Sequence, residues 1–359
     1  MGLASRWDVT VRGGGIFGLA CAYEAARRGA RVRLIERARI GAGASGGVVG
    51  ALAPHAPERW TPLKAFQLDC LLAAEGFWSD VAQVSGRPTG YARAGRLQPV
   101  PDADAEARAR TRAAAAADLW RGEAVWRLVP RADVGDWAPV SPTGRLIEDT
   151  LSAHLHPAEA VAALAAALRA KGAQIVEGAD TAPAVPEADE PDEGPTIWAT
   201  GAAGLAALSR DMGREMGRGV KGQAAVLGFD RRGAPQLYAD GLHIVPHLDG
   251  TTAIGSTTER DYTDPESTDA GLDEVIARAR TAVPSLAEAP VLRRWAGLRP
   301  RARSRQPVLG RYPGRPGHFI ANGGFKIGFG LAPGVGRVMA DLVLDGADTI
   351  PEGCRIEDA

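Results

Sequence analysis

The stretch WDVTVRGGGIFGLACAYEAARRGARVRLIER, residues 7–37, decides how the rest of the chain is read. Trp7 to Arg12 is a short β-type run, and Ile16 to Arg28 carries small and apolar residues at helical spacing. Gly29 stops that helix, and Val32 to Ile35 is a second buried strand, so the stretch is a βαβ unit. Gly13, Gly15 and Gly18 spell G-x-G-x-x-G between the first strand and the helix. The first glycine permits a tight turn, the second lets a pyrophosphate approach the backbone, and the third lets the helix pack on the strand. The helix N-terminus then faces the phosphates. Glu36 ends the second strand, where a carboxylate accepts hydrogen bonds from ribose hydroxyls and repels a 2′-phosphate. The spacing predicts a dinucleotide site without separating NAD from FAD. Arg12, directly before the glycines, stands where an apolar residue is usual, and the sequence offers no account of it.

The whole chain has 359 residues, 45% of them hydrophobic, enough for one large domain or two moderate ones. A net charge of −1 gives no bulk field for nucleic acid or an acidic membrane. Cys21, Cys70 and Cys354 are scattered, with no C-x-x-C, which suits a reducing, cytoplasmic setting. No apolar run is long enough for a membrane span, and the first ten residues contain no apolar signal core.

Beyond residue 37 the pattern alternates. Residues 41–54, GAGASGGVVGALAP, form a small-residue loop, followed by a helix from about Leu63 to Gln83. Strands are expected over 88–100 and 124–130, with an Ala/Arg helix between them. Pro157 suits the first turn of a helix that leads into the strand AQIVEG. The acidic, Pro-rich stretch PAVPEADEPDEGP reads as an exposed loop, and TIWATGA as a buried strand ending at a glycine. Asp240-Gly241 and Asp249-Gly250 mark two turns of an antiparallel meander. The fold class is therefore α/β: a Rossmann-like nucleotide-binding domain (1–85, 150–212, 298–359) with an inserted antiparallel substrate domain (86–149, 213–297).

Five stretches in order, GGGIFGLACAYEAARRGARVRLIE, GASGGVVGALAP, TIWATGA, RRWAGLRPRARSRQPVLG and FIANGGFKIGFGLAPGVGRVMADLVL, span nearly the full length. In them the chain resembles the amino-acid oxidase family of flavoproteins, which includes glycine, D-amino-acid and sarcosine oxidases. The resemblance implies FAD in an extended pose. Ile16 and Phe17 would sit at the pyrophosphate turn with Gly13, Gly15 and Gly18, Glu36 and Arg37 by the adenosine, and Ala44 and Ser45 on the phosphate side. Val49, Gly50 and Ala51 would line the flavin ring, Thr200 and Gly201 would also bind the cofactor, and Gly324, Phe325, Lys326, Ile327, Gly328 and Phe329 would embrace the other ring edge. Some sarcosine oxidases attach FAD through a cysteine upstream of that last loop. No cysteine lies between Cys70 and Cys354, so FAD is expected to be non-covalent.

The family's GLRP arginine falls on Arg299, which would grip the substrate carboxylate with its planar fork. Lys326 is one of four lysines against 38 arginines, and it sits in GGFKIGFG where the oxidases of primary amino acids carry arginine. The GFK spelling resembles the sarcosine oxidase branch, where the lysine binds the carboxylate. Two cations beside the flavin imply a small anionic amino acid. His243 and Thr258 match positions facing that pocket, with a half-exposed sheet residue as the plain alternative for His243. His154 and His156 form His-x-His, but no third ligand lies nearby and the resemblance implies no metal. The implied reaction is oxidation of the C–N bond by hydride transfer to flavin N5, giving an imine that water hydrolyses, with O2 or another acceptor regenerating the flavin. Oxidation of an N-alkyl or cyclic secondary amino acid, and a non-catalytic flavin-binding redox partner, stand as alternatives. A homo-oligomer is left open.

Overall fold

The computed structural model describes residues 7–180, 183–186 and 194–359. Most of the acidic, Pro-rich stretch lies outside the described residues. In chain order the first elements are β1 (Val9–Arg12), α1 (Ile16–Arg27), β2 (Val32–Ile35), β3 (Ala51–Leu52), α2 (Pro62–Ser85) and β4 (Arg96–Pro99). Then come α3 (Ala103–Leu119), β5 (Trp126–Pro130), β6 (Arg145–Asp149), β7 (Ala153–His154), α4 (Pro157–Ala170), β8 (Gln174–Val176), β9 (Thr196–Trp198) and α5 (Gly201–Asp211). The remainder is β10 (Gly217–Leu227), β11 (Gln236–Ala239), β12 (Leu242–Pro246), β13 (Thr252–Gly255), α6 (Ala270–Ala282), β14 (Val291–Ala302), β15 (Val308–Arg311), β16 (His318–Asn322) and α7 (Gly328–Ala340).

Among the described residues, one sheet has the order β15-β16-β9-β1-β2-β8. Its β16, β9, β1, β2 and β8 run parallel, and β15 closes the edge antiparallel. The βαβ unit expected from residues 7–37 is the centre of this sheet. Helix α1 is buried from Ile16 to Ala26, because the sheet covers one side and α7 the other. An all-round apolar helix is what such a position requires. Glycines set the helix spacing: a Cβ at Gly336 of α7 would lie 2.7 Å from the Ala20 carbonyl of α1. Thr61 caps α2, its hydroxyl accepting from the Lys64 N–H at 3.3 Å, and Pro62 fills the first turn.

The second sheet has the order β14-β10-β13-β12-β11-β4-β6-β5. The Asp240-Gly241 pair turns β11 into β12 with both residues at positive φ, 49° and 73°, as a two-residue hairpin demands. Alternation gives this sheet two different faces. Leu97, Leu237, Ile244, Ile254 and Leu227 pack under Leu272, Val275 and Ile276 of α6 in one core. The opposite face, with Ala224, Val226 and Trp295, packs against Val48 and Val49 of the small-residue loop. That inner face is where the two sheets meet.

One sequence expectation shifts. The strand anticipated over 88–100 is confined to Arg96–Pro99, because Gly90 and Gly95 adopt positive φ, 66° and 80°, and break the extended run. After Arg299, β14 ends at Ala302 and the chain turns, with Arg305 at φ +66°. Strand β14 also runs without interruption across residue 298, so Arg299 belongs to the large antiparallel sheet.

Candidate functional site

The glycine turn has the geometry its motif requires. Gly13 adopts φ +109°, and a Cβ there would collide with the Ala199 carbonyl after β9. A Cβ on Gly18 would strike the Gly13 carbonyl, so the helix lies directly on the turn. Glu36 points back at the loop, its Oε2 accepting from the Gly14 N–H at 2.6 Å and its Oε1 from the Ala38 N–H at 2.9 Å. Ser45, on a short 3-10 turn over Ala44–Gly46, accepts from the Ile16 N–H at 2.9 Å. The first donors of α1, a carboxylate at the end of β2 and a small-residue loop thus share one cleft. Arg37 lies on its exposed rim. Arg12 gains an account: its guanidinium lies 5.1 Å over the ring of Trp198, its partner across β1 and β9.

Further along the cleft, Gly50 has φ +70°, and a Cβ there would collide with the Leu155 carbonyl. The Val49 carbonyl is 3.2 Å from His247 Nε2, and Ala51 pairs with His154. Residues 49–51 are therefore pinned. On the other side, a Cβ at Gly324 would lie 2.9 Å from the Phe17 ring, and Gly328 packs on Ile16 and Phe17. Asn322 donates to the Gly201 carbonyl at 3.0 Å, and Thr200 donates to the Ala184 carbonyl at 2.7 Å. Residues from five distant segments meet around α1's N-terminus. The glycine cradle, the tethered Glu36 and the α1 N-terminus suit the pyrophosphate and ribose of FAD. The three cysteines are buried and free, with thiol pKa values pushed up to about 12 by burial, so none is an activated nucleophile for flavin attachment.

Arg299 lies on the inner face of β14 and is 9% exposed. Its guanidinium lies flat over Gly222 of β10, where any Cβ would overlap it, and Nη1 donates to the Thr257 carbonyl at 3.2 Å. Burial lowers its pKa to about 10, an effect opposed by Glu259, so it stays charged at neutral pH. Lys326 approaches from the glycine loop, its Nζ donating to Thr258 Oγ1 at 2.9 Å. The side chain is open to solvent on one side, yet burial and the charges of Arg299 and Arg301 hold its pKa below the lysine range. The Phe325 N–H bonds the Pro300 carbonyl at 3.1 Å and so ties the loop to the residue after Arg299. Two separately positioned cations thus act on each other at one place, and neither forms an ion pair among the described residues.

His243 also faces inward, its ring 4.8 Å from that of Tyr238. Burial first, then the charges of Arg96 and Lys326, depress its pKa to about 3, so the imidazole is neutral. His154 and His156 do not form a metal site: His154 is buried in β7, and His156 caps α4 by accepting from the Glu159 N–H at 3.3 Å. No group of three potential ligands gathers among the described residues.

Sequence reasoning missed two inner-face residues. Gly222 was readable as a glycine inside a strand pattern, which signals a close approach. Arg96, buried with its Nε 2.8 Å from Asp149 Oδ2, gave no local signal.

The family described as FAD dependent oxidoreductase matches residues 8–342. Glycine oxidase of Bacillus licheniformis is 26% identical over 95% of this chain and 94% of its own length. Glycine oxidase of Geobacillus kaustophilus (strain HTA426) is likewise 26% identical, with the same coverage. The crystal structure of glycine oxidase from Geobacillus kaustophilus superposes with a TM-score of 0.82 at 23% identity, covering 98% of this chain and 97% of that one.

Proposed function

The chain belongs to the FAD-dependent oxidoreductase family, and from that premise we propose that it oxidises the C–N bond of a small amino acid whose carboxylate is held by Arg299 and Lys326. The observation that carries this reading is the pair of charged groups on the inner face, buried Arg299 over Gly222 and Lys326 beside it, beyond the cofactor cleft. The relatives named glycine oxidase support an amino acid as substrate.

FAD, when bound, supplies the hydride acceptor and the route to O2 or another electron acceptor. The protein's residues do the rest by position and charge. Desolvating a lone guanidinium is unfavourable, and a carboxylate arriving over Gly222 offsets that penalty with a planar, two-point pair. The same two cations disfavour a third positive charge, so they lower the pKa of the substrate ammonium and favour the neutral amine. Neutral His243 adds no charge, and its Nδ1 is buried without a hydrogen-bond partner among the described residues. Val49–Ala51, pinned by the contacts above, and the 324–329 loop would hold the ring that the amine's Cα–H must face.

Anaerobic mixing of the FAD-loaded protein with glycine, D-alanine, sarcosine and proline tests the proposal without assuming an acceptor. Bleaching of the flavin by at least one of them is expected. Absence of bleaching across a wider panel of amines would overturn it in favour of a flavin-binding redox partner.

A further inference from the structure

Where β10 begins and β14 ends, a small cavity of about 160 Å³ opens to the surface, lined by Glu215, Arg218, Arg260, Arg301, Arg303 and Arg305 with Ala302. The only carboxylate in that lining, Glu215, pairs with Arg218 at 3.2 Å. No side-chain hydrogen bond or ion pair to an acceptor is present for Arg260, Arg301, Arg303 or Arg305 among the described residues. Where arginines elsewhere on this protein have a carboxylate in reach they pair with it, for example Arg112 with Glu58 and Arg232 with Asp230. Four guanidiniums gathered around one opening without a carboxylate repel one another, and an anion seated among them offsets that repulsion.

The cavity adjoins the carboxylate clamp. Arg301 lies two residues beyond Arg299 on the same face of β14. Its guanidinium is 5.7 Å from the centre of the Phe325 ring, and Lys326 Nζ is 5.7 Å from the same ring. The charges form a continuous series: Arg299 and Arg301 both act on Lys326, and Arg260, Arg305 and Arg218 act on Arg301. A phenyl ring flanked by two cations is itself a favourable arrangement, and it links the two anion sites.

We propose that this arginine cavity is a second anion subsite, which takes the distal acidic group of a substrate or inhibitor whose first carboxylate is held by Arg299 and Lys326. The ligand class is a small dicarboxylate, and among substrates an amino acid bearing a second carboxyl group. A monocarboxylic amino acid fills the clamp alone. The inference rests on the clamp described under the proposed function.

The test is calorimetric titration of the FAD-loaded protein with acetate, malonate and succinate in a buffer free of other multivalent anions. None of these acids is an amine, so binding is read without turnover. One of the two dicarboxylates is expected to bind at least about tenfold more tightly than acetate, and Arg260→Gln with Arg305→Gln should bring that ratio close to one. Both arginines are exposed, so the double variant is expected to keep its fold and its FAD. Equal affinity for all three acids in the wild type, or a ratio the double variant does not move, overturns the subsite. Tight inorganic phosphate binding without any dicarboxylate preference also overturns it and assigns the cavity to a free oxyanion. A protein that no amino acid reduces, yet shows the arginine-dependent ratio, refutes the oxidase reading and not this one.

Discussion

Gly222→Ala probes the carboxylate clamp without substituting either cation. The new methyl would overlap Nη1, Cζ and Nη2 of Arg299, so the guanidinium must retreat to ordinary contact, a shift of more than about 1 Å. Misplacement of that size costs about 10²-fold in a positioned reaction, or about 2.7 kcal/mol. Complete removal of the guanidinium by Arg299→Ala sets the upper bound, about 2–5 kcal/mol for one partner of a desolvated charge pair. The fold should tolerate the change, because the obstructing atoms end a flexible side chain and Gly222 has no positive φ to lose. An alanine in a strand also restricts the unfolded chain, which is worth about 0.4–1 kcal/mol of stability. The assay is anaerobic stopped-flow flavin reduction, with FAD content and thermal unfolding measured on the same preparations. Reduction by glycine should slow about 10²-fold in apparent second-order rate while FAD content holds. A Gly222→Ala protein within about threefold of wild type, beside an Arg299→Ala protein that is severely impaired, would refute the view that the guanidinium works from its seat on Gly222.

Glu36→Ala should weaken FAD binding by about 1–3 kcal/mol, since it removes a charged acceptor for the ribose and for the Gly14 N–H. An unchanged dissociation constant in fluorescence titration would count against the assignment. Lys326→Met keeps an apolar stem without the charge, and it should lower both carboxylate affinity and the flavin reduction potential. Because the Lys326 pKa is held below its ordinary range, wild-type affinity for the amino acid should fall as pH rises through that lowered value. The limb should vanish in Lys326→Met, while Arg299, at about 10, keeps its charge over most of the range. His154 is buried and neutral, with a folded pKa of about 4. The unfolded chain therefore binds protons first as pH falls below about 6.5, and this histidine costs roughly 1.4 kcal/mol of stability by about pH 5.5. That loss should be absent in His154→Leu, read as a smaller drop in Tm between neutral and mildly acidic buffer.

The sequence was most legible where the signal is local. The β1–α1–β2 unit is written in consecutive periods and one glycine motif, and residues 16–27 are helical as their spacing predicted. The Asp-Gly turns announced β11, β12 and β13 for the same reason. Arg299 and Lys326 were found through the motifs that carry them. Their mutual action is a property of the three-dimensional arrangement. What makes Arg299 a seated group is Gly222, which faces it only because of the register that pairs Val220 with Arg299 and Gly222 with Gly297. Nothing within a few residues of either position states that register. Arg12 is the same case, since its partner Trp198 is supplied by the parallel pairing of β1 with β9. The arginine cavity draws on residues 215–218, 260 and 301–305, which share no period. Arg301, Arg303 and Arg305 alternate in the sequence, as residues on one face of an extended strand do. The turn after Ala302 breaks that alternation, yet it still gathers the three around one opening.

The placement of the two cations has a physical logic of its own. Arg299 stands on a strand hydrogen-bonded along its length to β10, so its position is set by the rigid sheet and is independent of the cofactor. Lys326 stands on the loop whose glycines pack on Ile16 and Phe17, beside the donors that would face the pyrophosphate. One half of the clamp therefore belongs to the scaffold and the other half to the cofactor cleft. A protein emptied of FAD should keep the Arg299 half and loosen the Lys326 half. It should bind carboxylates more weakly than the loaded protein, and its residual affinity should depend on Arg299 alone. Calorimetry of acetate binding to the apoprotein and the FAD-loaded protein, each with and without Lys326→Met, separates the two halves. If Lys326→Met weakened acetate binding equally in both forms, the loop would already be fixed without the cofactor, and this division would be wrong.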